Sequence, residues 1–363
     1  MRVRGQSPVL WRCAGQSQVG AEAGHAVVVD GLSPQEQQFL DRLPATLSPG
    51  DVYRVARWSE VSVARARQIL SVLDEAGVLT RDVPTPSGDD EVYWERLAHN
   101  PRARERALRR AVVGISGGGR LARELVSLLA EAGVGTLLPE DEELTAWAGA
   151  LDPPVRIRMP LGTRPHLVIT VEGHLVEPRR ARGLSVAGIA HLPVVVREVS
   201  VRVGPLLAPG RPPCATCLDL WERDADPQWP AVATQLRLLD PPRSEALLVH
   251  QAAALAARAI TDALTGRERW WSGRSIEVSG AEAMGVERLW HPHPECLCGA
   301  LEPVAVPAEP GSPEARGGRR GRRRPTALSL DPQDPPHPDG PAPPPRPEGP
   351  EPRGARPPRT PGA

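Results

Sequence analysis

The sequence contains no lysine. All 44 residues counted as Lys or Arg are arginine, which excludes chemistry resting on a nucleophilic amine: Schiff bases, pyridoxal attachment and Walker-type phosphate lysines, because a guanidinium stays protonated. Net charge is missing as well. The 44 acidic residues balance the arginines to +0, with pI near 7.1, so the whole chain exerts no net pull on nucleic acid or anionic lipid. No apolar run reaches the roughly 18 residues needed to cross a bilayer. The most apolar helical stretch, 245–266, is interrupted by His250, Gln251, Arg258 and Asp262. The first residues, Met1-Arg2-Val3-Arg4-Gly5, lack the apolar core of a secretion signal. These absences predict a cytoplasmic protein that does not engage membrane or, as a whole chain, nucleic acid.

What is present begins with cysteine. Four of the five cysteines form two tight pairs, Cys214-x-x-Cys217 and Cys296-x-Cys298, each set among prolines. Such spacing suits tetrahedral zinc, because one short turn can present only two sulfurs to a common point and two turns must converge to present four. Four thiolates leave no open coordination position, so the zinc is expected to be structural. Unpaired buried thiols or a redox pair are the alternatives, and the short Cys296–Cys298 spacing leaves His291 or His293 as substitute ligands.

Along the chain, residues 8–30 read as short strands, with Val9–Trp11 and Ala26–Val29 ahead of the turn at Asp30-Gly31. Ser33-Pro34 with Glu36 is a capping-box start for a helix carrying Phe39, Leu40 and Leu43; a weaker helix covers Gly50 to Trp58. Ser62 caps a third helix bearing Ala66, Ile69, Leu70 and Leu73, which ends at Gly77 before a short strand at Val78-Leu79. Residues 1–100 are thus expected to form a small winged-helix-like α+β module. One reading makes it a DNA reader using Arg65 and Arg67; the favoured one makes it a peptide-binding or structural module, since the same helix carries Asp74 and Glu75.

After a polar connection over 81–104, the pattern becomes α/β. A buried strand over 109–116 runs into Gly117-Gly118-Gly119-Arg120-Leu121-Ala122, which opens a helix reaching Gly133-Val134-Gly135. Small residues at 117, 119 and 122 permit a tight turn, close approach of phosphates to backbone amides, and helix packing. Further strands at Leu167–Val171 and Leu192–Val196 flank a helix around 177–184, implying a mainly parallel, Rossmann-like sheet. A linker over 219–242, a helix over 245–266 and a strand over 276–278 lead to the second cysteine pair. From 303 to 363 the chain is dense in Pro, Gly and Arg, with a basic knot over 319–324, and is expected to be a disordered tail.

Taken together, residues 105–302 resemble the ThiF/MoeB/HesA superfamily, the fold of ubiquitin-like-modifier-activating enzymes. The resemblance rests on the run from Gly117 to Gly135, the approach Gly204-Pro205 to Pro209-Gly210 into Pro213-Cys214-x-x-Cys217, and the closing Cys296-x-Cys298-Gly299. It implies an ATP-dependent adenylyltransferase that activates a peptide carboxylate, commonly as a homodimer. Carried over residue by residue, Gly117, Gly118, Gly119 and Ala122 match the nucleotide turn. The family's lysine is absent, Glu140-Asp141-Glu142-Glu143 stand where its arginine-bearing run is expected, and Glu172 is the one replacement for its magnesium aspartate. ATP and Mg are therefore doubtful cofactors beside zinc.

A small module ahead of a ThiF-like domain also resembles the partner proteins of YcaO cyclodehydratases, in which a PqqD-like module holds the substrate's leader peptide. That resemblance implies a recognition or scaffold subunit whose partners are a peptide and a YcaO-type enzyme, with Val27–Asp30 as the peptide-accepting strand edge. A working adenylyltransferase, with Arg120 or Arg123 in place of lysine, and a DNA-binding regulator are the rival readings.

Overall fold

In the computed structural model the described residues are 1–44, 46–81, 85–86, 88–97, 100–160, 162–282, 284–299 and 326–329. They fall into two compact units, one built from 1–3, 7–81 and 326–329, the other from 4–6 and 85–299.

In the first unit β1 (Arg2–Val3) precedes a meander of β2 (Val9–Cys13), β3 (Gln16–Val19) and β4 (Val27–Asp30). Then follow α1 (Pro34–Asp41), α2 (Pro49–Trp58), α3 (Val63–Glu75) and β5 (Leu79–Thr80), which pairs antiparallel with β1. The helix starts obey their sequence signals. Ser33 Oγ accepts the Glu36 N–H and the Glu36 carboxylate accepts the Ser33 N–H, and Ser48 with Asp51 repeats the arrangement. Gly77 ends the third helix at φ +68°. The apolar stripes meet in one core of Phe39, Leu40, Ile69 and Leu73 against Val27 and Val29. Arg65, which the DNA-reader alternative would direct toward DNA, is 13% exposed and pairs with Glu36 at 2.5 Å, tying α3 to α1. The β3 strand was not legible because Gln16-Ser17-Gln18 carries little apolar character; only the alternate residues Ser17 and Val19 are buried.

The second unit runs α4 (Asp89–Arg96), α5 (Pro101–Arg110), β6 (Val112–Ser116), α6 (Gly119–Glu131), β7 (Thr136–Pro139), α7 (Glu142–Gly149), β8 (Leu167–Gly173) and α8 (Pro178–Val186). It continues with β9 (Ala190–Val196), β10 (Ser200–Val203), α9 (Ala215–Ala225), α10 (Trp229–Leu236), α11 (Ala246–Leu264), α12 (Glu268–Trp271), β11 (Arg274–Ser279) and β12 (Val286–Leu289). One seven-stranded sheet has the order β12-β11-β10-β9-β8-β6-β7. Strands β7, β6, β8 and β9 are parallel, and β10, β11 and β12 extend the sheet antiparallel. All five residues of β6 are buried, as a central parallel strand covered on both faces requires. Helix α11 packs on α6 and the sheet through Ala252, Ala253, Ala256 and Ala259, whose small side chains allow close approach.

Two expectations for this unit change. The polar connection over 81–104 contains α4 and the start of α5, because Trp94, 6% exposed, anchors a helix in which five of eight residues are charged. The linker over 219–242 is largely α9 and α10; its Asp- and Pro-rich composition hides the buried Ala233.

Of the tail expected to be disordered over 303–363, only residues 326–329 lie among the described residues. They form a strand, β13 (Thr326–Ser329), parallel to β4, so the first unit's sheet reads β13-β4-β3-β2.

Candidate functional site

The cysteines come together as their spacing implied. Cys214 stands at the N-cap of α9 and Cys217 one turn inside it, while Cys296 immediately precedes the turn at Leu297–Gly299 and Cys298 lies within it. Their sulfurs all lie within 4.8 Å of one another, with Cys214–Cys217 at 3.9 Å, Cys214–Cys296 at 3.6 Å and Cys217–Cys298 at 3.3 Å. Metal–sulfur bonds of about 2.3 Å give a tetrahedron an edge of about 3.8 Å, so the donor set fits a tetrathiolate metal ion. None of the four is in a disulfide. Burial and the neighbouring sulfurs push the Cys298 thiol well up, and burial raises Cys296 too. At Cys217 burial also raises, but the backbone N–H of His293 and the contacts of the other cysteines outweigh it and the net direction is down.

His291 and His293 are not among the grouped donors. His291 is exposed. His293 is buried with both ring nitrogens occupied: Nδ1 accepts the Glu295 N–H at 3.1 Å and Nε2 meets Asp224 at 2.9 Å. It serves as a support, its own backbone N–H directed to Cys217 Sγ at 3.4 Å and its ring edge-on to Trp221. Helix α9 is fixed further by Glu222, on which Arg197, Arg202 and Arg288 converge at 3.4, 2.9 and 3.0 Å. Burial depresses Arg202 to about 10. This knot was not legible one-dimensionally, since its members come from three separate stretches, the β9–β10 hairpin, α9 and β12.

The second place is the glycine turn between β6 and α6. Gly117 has φ +99° and a Cβ there would lie 2.3 Å from the Val171 carbonyl oxygen of β8, so only glycine fits. Gly119, at φ +81°, faces open space, and α6 starts without a side-chain cap, leaving its first amides accessible. Ala122 is fully buried under the turn. The side chains around it differ from what phosphate binding asks. A Cβ on Gly118 would stand 3.8 Å from the Asp141 carboxyl, which caps α7 by accepting the Leu144 N–H. Glu140 accepts from Ser116, Arg123 pairs with Glu143, and Arg120 reaches His250 at 3.4 Å.

Glu172 follows the residue that Gly117 touches, but its carboxylate is already engaged. It is 7% exposed, accepts the Glu177 N–H at 3.2 Å and pairs with Arg180 at 3.1 Å. Burial is the largest influence and raises its pKa; the hydrogen bonds and Arg180 only partly offset it. Beside it on β9, His191 is buried, its Nε2 2.8 Å from Thr170 Oγ1, and burial with Arg180 nearby lowers it to about 4. Its Nδ1 has no partner. His191 and Arg180 were missed from sequence: a lone histidine in an apolar strand and an arginine in Arg179-Arg180-Ala181-Arg182 carry no local signal.

No family model and no curated protein matches the sequence. Solved structures do. The chain is similar to E. coli MccB with selenomethionine MccA at TM-score 0.59 and 13% identity, covering 82% of this chain and 99% of that one. It is similar to E. coli MccB with ATP at TM-score 0.57 and 14% identity, covering 81% and 98%. The chain has a ThiF-like fold. MccB is described elsewhere as a Microcin C7 biosynthetic enzyme. A heterocyclase in complex with substrate and cofactor is similar at TM-score 0.57 and 16% identity; 80% of this ThiF-like chain is covered but only 38% of the heterocyclase.

Proposed function

We propose that this ThiF-like protein is a recognition or scaffold subunit in peptide modification, stabilised by zinc at Cys214, Cys217, Cys296 and Cys298, with adenylation weak or lost. The observation that carries the reading is Glu172: the carboxylate standing where the fold's magnesium ligand is expected is buried and held by Arg180 and the Glu177 N–H. A carboxylate so paired would have to shed a charge-assisted bond to bind a metal. Asp141 beside Gly118 adds negative charge next to the amides that a triphosphate would use. Zinc is preferred over other metals because four thiolates in tetrahedral spacing suit it, and in this role it crosslinks α9 to the 296–298 turn.

In this reading residues 1–100 are a PqqD-like module, 105–302 the ThiF-like domain and 303–363 a tail. The partners are a substrate peptide, a YcaO-type enzyme and a second copy of the chain, in the cytoplasm. The DNA-binding alternative loses support from Arg65, which is committed to Glu36. The adenylyltransferase alternative keeps one supporting observation, the open space beside Gly119 at the uncapped start of α6. ATP–pyrophosphate exchange with peptides bearing a free C-terminal carboxylate separates the two. We expect no exchange above background. ATP-dependent exchange that disappears in Gly119→Trp would replace the scaffold reading with the enzyme.

A further inference from the structure

The strand most remote in sequence from its neighbours is β13. Residues 326–329 lie beside β4 in parallel register, Thr326 opposite Val27, Ala327 opposite Val28, Leu328 opposite Val29 and Ser329 opposite Asp30. Val27 and Val29 belong to the first unit's core, and Leu328 packs against the same cluster, half-buried. The sequence singles out this segment. It forms part of Thr326-Ala327-Leu328-Ser329-Leu330, a short apolar-bearing run bracketed by Pro325 and Pro332 within a stretch otherwise dense in Pro, Gly and Arg. Prolines lack the N–H a ladder needs, so pairing has natural limits at both ends.

Without this strand, β4 would be the edge of a three-stranded sheet, offering a row of backbone donors and acceptors beside an apolar core. Such an edge is a template for any extended segment. The edge is also Val27–Asp30, which the resemblance to YcaO partner proteins makes the peptide-accepting strand edge, and the inference rests on the proposed peptide-recognition role for its consequence. We propose that residues 326–329 are the resident occupant of the β4 edge: the chain seats its own segment where an outside peptide would add, and an incoming peptide must displace it. The seated strand defines the chemistry the edge accepts, an extended segment running parallel to β4 with an apolar side chain at the place of Leu328. Among the described residues four pair with β4, a short ladder, and Leu328 packs against the core. The occupant is therefore held mainly by being tethered to the same chain, which makes its binding intramolecular.

The test uses the full chain and a fluorescein-labelled synthetic peptide of residues 322–333. Successive residues of a strand direct their N–H groups to opposite sides, so prolines at 327 and 328 together remove at least one donor facing β4. Fluorescence anisotropy is expected to give at least 10-fold tighter peptide binding to the Ala327→Pro, Leu328→Pro double variant than to the unaltered chain, with Leu328→Asp behaving likewise. Hydrogen exchange of the unaltered chain is expected to show slowed amides in 326–329, and faster exchange at 27–30 in the double variant. Equal peptide affinity for unaltered and variant chains, or unprotected amides over 326–329 in the unaltered chain, overturns the proposal. The probe is the chain's own segment, so this outcome is independent of substrate capture. If the vacated variant binds that segment yet selects no peptide from a random twelve-residue library, the occupant stands and the peptide-capture reading falls.

Discussion

The cysteine cluster and the glycine turn belong to the same compact unit and are both assembled at the ends of helices and strands, yet they differ in what survives of a binding site. At the cysteines, donors from two distant segments meet at spacings a single metal ion requires, and the buried His293, held by Asp224 and Trp221, supports the geometry. At the glycine turn the backbone has the shape of a phosphate cradle while the side chains around it are spent on one another: Glu172 on Arg180, Arg123 on Glu143, Asp141 on a helix cap. Backbone shape is demanded by the packing of β6, α6 and β8 whether or not anything binds. Side-chain chemistry is not, and its arrangement is the better guide to function.

The comparison breaks most sharply at the cysteines. Cys217→Ser, or removal of metal with a chelator, is expected to lower the melting temperature by about 10 °C or more, because metal binding in such sites is folding free energy. Elemental analysis should find one metal ion per unaltered chain. An unchanged melting curve, or thiols that all titrate freely without metal, would put both places on the same footing.

The next effect concerns His191. Its folded pKa is depressed to about 4 from an ordinary 6.5, so its stabilising neutral form is fully present above about 6.5 and is lost as pH falls toward 4. The contribution is of order 3 kcal/mol. His191→Gln should flatten that part of the stability-versus-pH curve in urea titrations between pH 7 and 4. A variant with the wild-type slope would show that this histidine is not neutral and buried.

The smallest effect is expected at Glu172. Its folded pKa is raised, so its protonated form favours the folded state at low pH and that contribution is lost as pH rises through the folded pKa. Glu172→Gln keeps a hydrogen-bonding side chain and removes the burial cost of a charge. Arg180 is 39% exposed and solvent screens the pair, so the net change should stay within about 1 kcal/mol. Calorimetric titration with MgATP should give the same absence of heat before and after. Magnesium-dependent ATP binding lost in Glu172→Gln would restore the crease to a working site.

Much of this was readable in one dimension. Ser33 with Glu36, Ser62, and Gly77 gave the helices of the first unit because capping and φ > 0 are local demands. The Gly117–Ala122 run gave the crease, and paired cysteines gave the cluster, since thiols at such spacing have few other uses. What failed to show was non-local. β7 is four residues with two buried, too short to betray a period. Trp94 turned a charged connection into a helix, and Arg180, His191 and the three arginines on Glu222 meet only after folding.

Sequence alone therefore determined the residue types available, and with them the exclusions: without lysine no lysine-dependent chemistry exists in any fold, and two cysteine pairs supply four thiol donors that could hold a metal ion wherever the chain lets them meet. The tertiary structure decided which charges are free to act. Neutralisation of Glu172 by Arg180, of Arg65 by Glu36, and the seating of Leu328 beside Val29 depend on distances between segments far apart in the chain. Coulomb and hydrogen-bond energies fall off over a few ångströms, so only the folded geometry sets them.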